Sequence, residues 1–179
     1  METLLTLQHV EKVIGLEHTA DTHALAKELA AAEEDATLVL ACCQDGPSDA
    51  PAGEGGVYFT LILKPQRALE ETALARALCV AAADTLCKRF GLKTKRSDAR
   101  GVWVWDARAR AYKQIALVRA EEITAGTWLV SGVVCANNPV AKKQQAQWAA
   151  LKTLTGAPVN KELFLDDLLD NFWKEYAFI

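Results

Sequence analysis

Apolar positions along the chain fall into short runs whose period changes at clear boundaries. Residues 20–32 (ADTHALAKELAAA) are dominated by Ala, Leu, Lys and Glu, with Asp21 or Thr22 placed to cap them, and predict a helix. Residues 36–43 (ATLVLACC) form an apolar run bounded by turn formers and predict a buried strand. Residues 57–64 (VYFTLILK) are the best strand in the chain, closed by Pro65. The best helix is residues 72–90 (TALARALCVAAADTLCKRF), with Gly91 at its C-cap. Apolar residues nearly surround it, so it should be the central buried helix. Three more strands are predicted at 101–105 (GVWVW), 112–119 (YKQIALVR) and 127–135 (TWLVSGVVC), with a polar turn at 106–111 between the first two. Residues 144–154 and 161–176 read as amphipathic helices. The second starts at the cap residue Asn160 and spaces Leu163, Phe164, Leu168, Leu169 and Phe172 at helical intervals. Residues 3–10 have some β character. Strands gathered in a run and followed by helices predict an α+β fold with a largely antiparallel or mixed sheet.

Between two of these strands lies the one clear breaker segment, residues 44–56 (QDGPSDAPAGEGG), which suits either a surface loop or a loop covering a ligand. Trp103 and Trp105 lie two apart on a strand and so share one face, as a core pair or as the lining of a pocket or interface.

Composition narrows the function class. A chain of 179 residues is the size of one domain. It can bury about 70% of its unfolded surface without needing a disulfide or metal to fold. A net charge of −3 supplies no general basic field, so no nucleic-acid partner is expected. No apolar run is long enough for a membrane helix, and the N-terminus lacks the pattern of a signal peptide. The five cysteines, Cys42, Cys43, Cys79, Cys87 and Cys135, form no C-x-x-C pair, and the three histidines all lie near the N-terminus, so no metal site is expected. This cysteine usage fits a reducing cytoplasm.

In order, these segments resemble the catalytic domain of the biotin/lipoate protein ligases. HTADTHALAKELA at 18–30 is similar to that family's Ser/Thr-Thr-Asn element opening a helix, with Asp21-Thr22-His23 in its place. LVLACCQDGP at 38–47 followed by VYFTLILKP at 57–65 is similar to the strand, glutamine, Gly-Arg-rich loop and next strand, and Gln44 matches the glutamine. The helix at 72–90 ending in FGLKTK precedes KTKRSDARG, which stands where the family has Lys-Trp-Pro-Asn-Asp. AYKQIALV at 111–118 is similar to Gly-Arg-Lys-Ile-Ala-Gly-Ile-Leu, and WLVSGVVCANNPV at 128–140 to the Gly-Ile-Asn strand end. The resemblance spans residues 15–177. It implies a class II synthetase-like α+β domain, a mixed or antiparallel sheet packed with helices, over residues 1–179. Neither the DNA-binding domain nor the C-terminal β-barrel of larger members is expected.

The resemblance implies ATP-dependent attachment of biotin to a carrier-protein lysine through a biotinyl-adenylate, with ATP and Mg2+ required and biotin, lipoate and a biotinyl or lipoyl carrier domain as partners. A homodimer through the sheet is a further possibility. The implied site residues are Lys113 for catalysis; Thr22, His23 and Gln44 for the acyl ligand; and Lys95, Asp98, Asn137 and Asn138 for the nucleotide. Each has a plainer reading. Thr22 and His23 suit a helix cap and first turn, Lys95 and Asp98 a charged surface turn, and Asn137 and Asn138 an ordinary turn before Pro139. Anchoring the alignment on Ile115-Ala116 places Gln114 rather than Lys113 in the catalytic slot, and one residue of register moves a strand side chain to the opposite face.

The departures from the family pattern concentrate where adenylation needs them. Joining a carboxylate to a triphosphate requires positive charge aimed at the developing charge. Residues 44–63 contain no Arg or Lys, and they carry Asp45, Asp49 and Glu54. Each lost charge-assisted hydrogen bond removes about 1.5–3 kcal/mol. The alternatives are therefore a non-catalytic relative that binds an acyl ligand or carrier domain, and an ATP-independent acyl transferase using Cys135.

Overall fold

The computed structural model describes residues 7–45, 50–97 and 100–179. Its elements in chain order are β1 (Lys12–Thr19), α1 (Thr22–Leu29), β2 (Thr37–Gln44), β3 (Gly53–Leu63), α2 (Glu71–Phe90), β4 (Thr94–Ser97), β5 (Gly101–Asp106), β6 (Ala111–Thr124), β7 (Thr127–Val134), α3 (Leu151–Thr155) and α4 (Lys161–Tyr176). The strands form one seven-stranded sheet in the order β1-β2-β3-β7-β6-β5-β4. Only β1 and β2 run parallel, and every other neighbour pair is antiparallel. The architecture is the α+β fold with a mixed sheet that the sequence predicts.

Alternation along the strands divides the core between the two sheet faces. On one face Phe59, Leu61 and Val130 pack with Leu74 and Leu78 of α2 and Phe164 and Leu168 of α4. Each of these large side chains contributes roughly 1.5–3 kcal/mol by leaving water. Gly132 makes room for Phe59, since a Cβ there would lie 2.4 Å from the ring. On the other face Val39, Ile62 and Leu129 pack under Ala26 and Ala30 of α1. Helix α2 is the buried central helix, and it ends at Gly91 in the left-handed region with φ 65°.

Four readings of the sequence need correction. Of the stretch 3–10, residues 3–6 lie outside the described residues and 7–10 are not in a strand; the first described strand is Lys12–Thr19. As a sheet edge β1 packs only Ile14 and Leu16 toward α1, too sparse an apolar pattern to stand out. The charged stretch read as a turn holds strand β4 instead. Part of the breaker segment is strand as well, because Gly53–Gly56 open β3.

The helix expected at 144–154 is replaced by turns, an extended stretch and the short α3. The Gln114 amide donates to Gln147 O at 2.8 Å, and the Ala149 amide donates to Gln114 O at 3.1 Å. Past the end of β7, this stretch takes over as the neighbour of β6 and buries Trp148. Backbone pairing with a strand thus overrides the local helical pattern.

Candidate functional site

The ends of β1, β2, β5 and β7 and the starts of β3, β4 and β6 lie together along one end of the sheet, which follows from the registers. Helix α1 begins at this end, directly after β1. Asp21 caps it by accepting from the His23 amide at 2.9 Å. The free first-turn amide of Thr22 donates to Gln44 Oε1 at 2.9 Å, tying the helix start to the end of β2. Both residues are buried. That bond fixes the orientation of the Gln44 amide, and its Nε2 is left buried without a partner.

The start of β3 faces Gln44 and is built from glycines. Gly53 pairs with Gln44, and Gly53 and Gly55 both adopt φ 97°, a region that favours glycine. Gly55 also sits against the turn that follows β7. Its carbonyl accepts from the Asn137 amide at 2.8 Å, and a Cβ at Gly55 would meet Asn138 N at 2.9 Å. Asn138 is 1% exposed, and its Oδ1 is buried without a partner. The glycine-rich start of β3 is therefore flanked by an unsatisfied amide donor, Gln44 Nε2, and an unsatisfied amide acceptor, Asn138 Oδ1. Tyr58 lies on the same stretch. Its ring fills the space above Gly56, and its hydroxyl donates to Gly53 O at 2.7 Å.

Thr22 also belongs to a second group of buried polar residues beneath α1. Thr60 Oγ1 donates to Thr22 Oγ1 at 3.1 Å and lies 2.8 Å from Ser131 Oγ. Ser131 Oγ is 2.6 Å from His23 Nδ1, and His23 Nε2 is 2.9 Å from Glu121 Oε2. Lys27 and Arg119 both bind the Glu121 carboxylate at 2.6 Å. Burial lowers the His23 pKa, against the opposing pull of its bond to Glu121. Hydrogen bonds from Lys27 and then His23 bring the Glu121 pKa down to about 2. Thr60 and Ser131 lie inside the stretches VYFTLILKP and WLVSGVVCANNPV but are not among the implied site residues, and Glu121 lies outside every such stretch. Their only sequence signal is a polar residue inside an apolar strand run, as in VYFTLIL and WLVSGVV.

Strand β6 places the two candidates for the catalytic slot on opposite faces of the sheet. An irregularity between Val102 and Trp103 shifts the β5–β6 register, so Lys113 pairs with Val104 and Gln114 with Trp103. Paired residues share a face. Val104 belongs to the core under α2, whereas Trp103 is two positions from Gly101, which pairs with Leu117, opposite Val133 and Tyr58. Gln114 therefore shares the α1 face with Thr22 and Gln44, and Lys113 does not. Lys113 Nζ donates to the carbonyls of Gln145 at 2.7 Å and Ala146 at 2.6 Å, which anchors the stretch following the β7 turn.

The other candidates scatter. Asn137 is committed to Val159, donating to its carbonyl at 2.8 Å and accepting from its amide at 2.7 Å. Lys95 is exposed on the outer strand β4, 5.9 Å above the Tyr112 ring. Asp98 lies outside the described residues. Cys135 is fully buried, and burial raises its thiol pKa to about 12, which disfavours the thiolate that acyl transfer would need. Among the described residues no cluster of three His, Cys, Asp or Glu side chains could hold a metal ion, and no helix is long and apolar enough to cross a membrane. At this end of the sheet a triphosphate would meet exposed cations only on other segments, Lys93 beside the start of β4 and Arg108 and Arg110 on the β5–β6 hairpin. The segment from Gln44 to Leu63 offers it no cation, and the Lys113 ammonium is held by protein carbonyls.

No family model matches the chain, and no curated protein matches it in sequence. Solved structures do match the fold. The biotin protein ligase from Aquifex aeolicus in complex with biotin and ATP superposes with a TM-score of 0.80 at 17% identity, over 93% of this chain and 71% of that one. The biotin acetyl coenzyme A carboxylase synthetase from Helicobacter pylori, with bound biotinylated ATP, gives 0.64 at 21% identity over 92% and 74%. A bi-partite lipoate protein ligase from Thermoplasma acidophilum gives 0.65 at 12% identity over 94% and 85%. The chain has the fold of the biotin/lipoate protein ligase catalytic domain.

Proposed function

We propose that this chain works as a single biotin/lipoate ligase-type domain that binds a biotin-like carboxylic acid and its carrier domain, with ATP-dependent adenylation weakened by orders of magnitude. The observation that carries the binding half is the pair of unsatisfied buried groups beside Gly53–Gly55, Gln44 Nε2 and Asn138 Oδ1. Each buried polar group without a partner costs about 1–3 kcal/mol, which a ligand supplying the missing partner recovers. A cyclic urea such as that of biotin offers both a carbonyl acceptor and an N–H donor. A dithiolane offers neither, so biotin is favoured over lipoate. The solved structures of this fold include complexes with biotin and ATP and with biotinylated ATP, which supports a biotin-like ligand.

The adenylation half rests on charge. The segment from Gln44 to Leu63 has no cation, and Lys113 Nζ is engaged by two carbonyls on the far side of the strand from Gln44. These residues offer ATP no free cation, so no adenylation step is assigned to them.

Calorimetric titration with biotin and ATP–pyrophosphate exchange under magnesium test the two halves separately. Biotin binding that Gln44→Leu abolishes, with exchange at background, is the expected result. Absence of biotin binding overturns the proposal. Exchange at the rate of an ordinary ligase overturns its second half, and Lys113→Ala then shows whether that lysine is the catalytic group.

A further inference from the structure

The chain is acidic, but its charge is unevenly distributed. Residues 93–110 carry six of its 20 Lys and Arg and only two of its 23 Asp and Glu. Those six, Lys93, Lys95, Arg96, Arg100, Arg108 and Arg110, are all exposed. Among the described residues none of them forms an ion pair. They map onto the outer edge of the sheet. Lys93, Lys95 and Arg96 lie on or beside β4, and Arg108 and Arg110 lie on the hairpin joining β5 to β6. The Asp106 carboxylate shapes that hairpin by accepting from the amides of Arg108 and Ala109. Trp105, 39% exposed, sits between the two groups, edge-on to Tyr112.

Strand β4 is the last in the sheet, so among the described residues one of its sides has no strand neighbour. The Trp105 amide donates to Lys93 O at 2.9 Å, which fixes the ladder. Lys93 and Lys95 turn their backbone groups toward β5, and Thr94 and Arg96 turn theirs outward. Three of the four β4 residues are exposed. Exposed edges commonly carry Lys and Arg, which discourages pairing with neutral strands. The same charges favour a strand of opposite sign.

We propose that β4 and the β5–β6 hairpin dock an acidic extended segment of a partner protein, which adds to β4 as an eighth strand. Its outward backbone groups pair with those of Thr94 and Arg96, and its Asp and Glu side chains meet Lys95 and Arg96. A protein strand fits better than a nucleic acid for two reasons. The Tyr112 ring is already covered by Lys95 on its face and by Trp105 at close quarters, leaving a base little to stack on. The chain's net charge of −3 also opposes a long polyanion, whereas a short acidic segment feels chiefly the local field. The proposal stands whether or not the chain binds an acyl ligand, because this edge lies outside the Gln44–Gly55 region.

The test uses a fluorescein-labelled twelve-residue peptide repeating Glu-Glu-Val-Thr, which places acidic side chains on both faces of the added strand. Three controls accompany it: its Gln-for-Glu version, a version N-methylated at alternate amides, and single-stranded dT12. Fluorescence anisotropy on the intact chain should show the Glu peptide binding at least tenfold more tightly than either peptide control and than dT12. The doubly substituted Lys95→Glu/Arg96→Glu protein should lose at least tenfold in affinity. Its thermal melt verifies folding, and if it fails to fold, Arg108→Glu/Arg110→Glu replaces it. Equal binding of the N-methylated peptide overturns strand addition. Tighter binding of dT12, or affinity unmoved by charge reversal in a folded variant, overturns the proposal.

Discussion

Nε2 of His23, on the first turn of α1, lies 2.9 Å from Oε2 of Glu121 on β6, 98 residues away. The bond ties α1 to the strand β6 of the sheet beneath it. Burial pulls the His23 pKa down and the bond to Glu121 pulls it up, while Nδ1 on the other side of the ring joins the Ser131 hydroxyl at 2.6 Å. His23→Ala removes one bond from each of two groups, leaving the Ser131 hydroxyl only Thr60 and Glu121 Oε2 only Arg119. The expected loss is about 2–3 kcal/mol in urea unfolding. His23→Gln should recover part of it, and an unchanged midpoint for the alanine variant would show the network to be energetically idle.

The same pair sets an acid dependence. The Glu121 pKa is about 2 in the folded chain against 4.5 for an ordinary glutamate. Its contribution is therefore full above the unfolded value and is lost as pH falls from 4.5 through about 2. His23 acts in the same direction at higher pH. Its folded pKa is depressed below 6.5, so the unfolded chain takes up a proton first and stability declines as pH drops below that value. Melting temperature should fall below neutrality and fall further below 4.5. Glu121→Gln should flatten the lower segment, and a variant with an unaltered acid profile would refute the assignment.

Gly53 and Gly55 share φ 97° but differ in surroundings: a Cβ at Gly53 meets nothing within 4 Å, whereas one at Gly55 meets Asn138 N at 2.9 Å. Gly53→Ala should cost only backbone strain, about 1–3 kcal/mol. Gly55→Ala should cost more, because the Asn137–Asn138 turn must also move, and it should weaken biotin binding as well. Chemical denaturation and calorimetric titration of both variants measure the difference, and equal losses would mean the contact is soft.

Thiol reactivity tests the burial of the core cysteines. Cys87 is exposed, while burial raises Cys79 to about 11 and Cys135 to about 12. A disulfide reagent at pH 8 should label Cys87 within the native chain and reach Cys79 and Cys135 only on unfolding. Rapid native labelling of Cys135, read by peptide mass mapping, would reopen it as a nucleophile.

Local pattern was enough for most elements of this protein. Helix α2, the capped helix α4 and the strands β2, β3, β5, β6 and β7 are legible because each carries its own period, cap or breaker, as with Asn160 accepting from the Leu163 amide and Gly91 closing α2. The collinear order of those elements was also enough to indicate the ligase-type fold. Tertiary structure decided everything that depends on pairing. Strands β1 and β4 exist because a neighbour supplies their hydrogen bonds, and the stretch around Trp148 is extended because Gln114 pairs with it. The site was legible at Thr22 and Gln44, which do meet. It was not legible at Lys113, whose face depends on the irregular β5–β6 register, nor at Ser131 and Glu121, which reach His23 from strands about a hundred residues away. A side chain's type is written in the sequence, but the face it points to is set by register, and register is a property of two strands together.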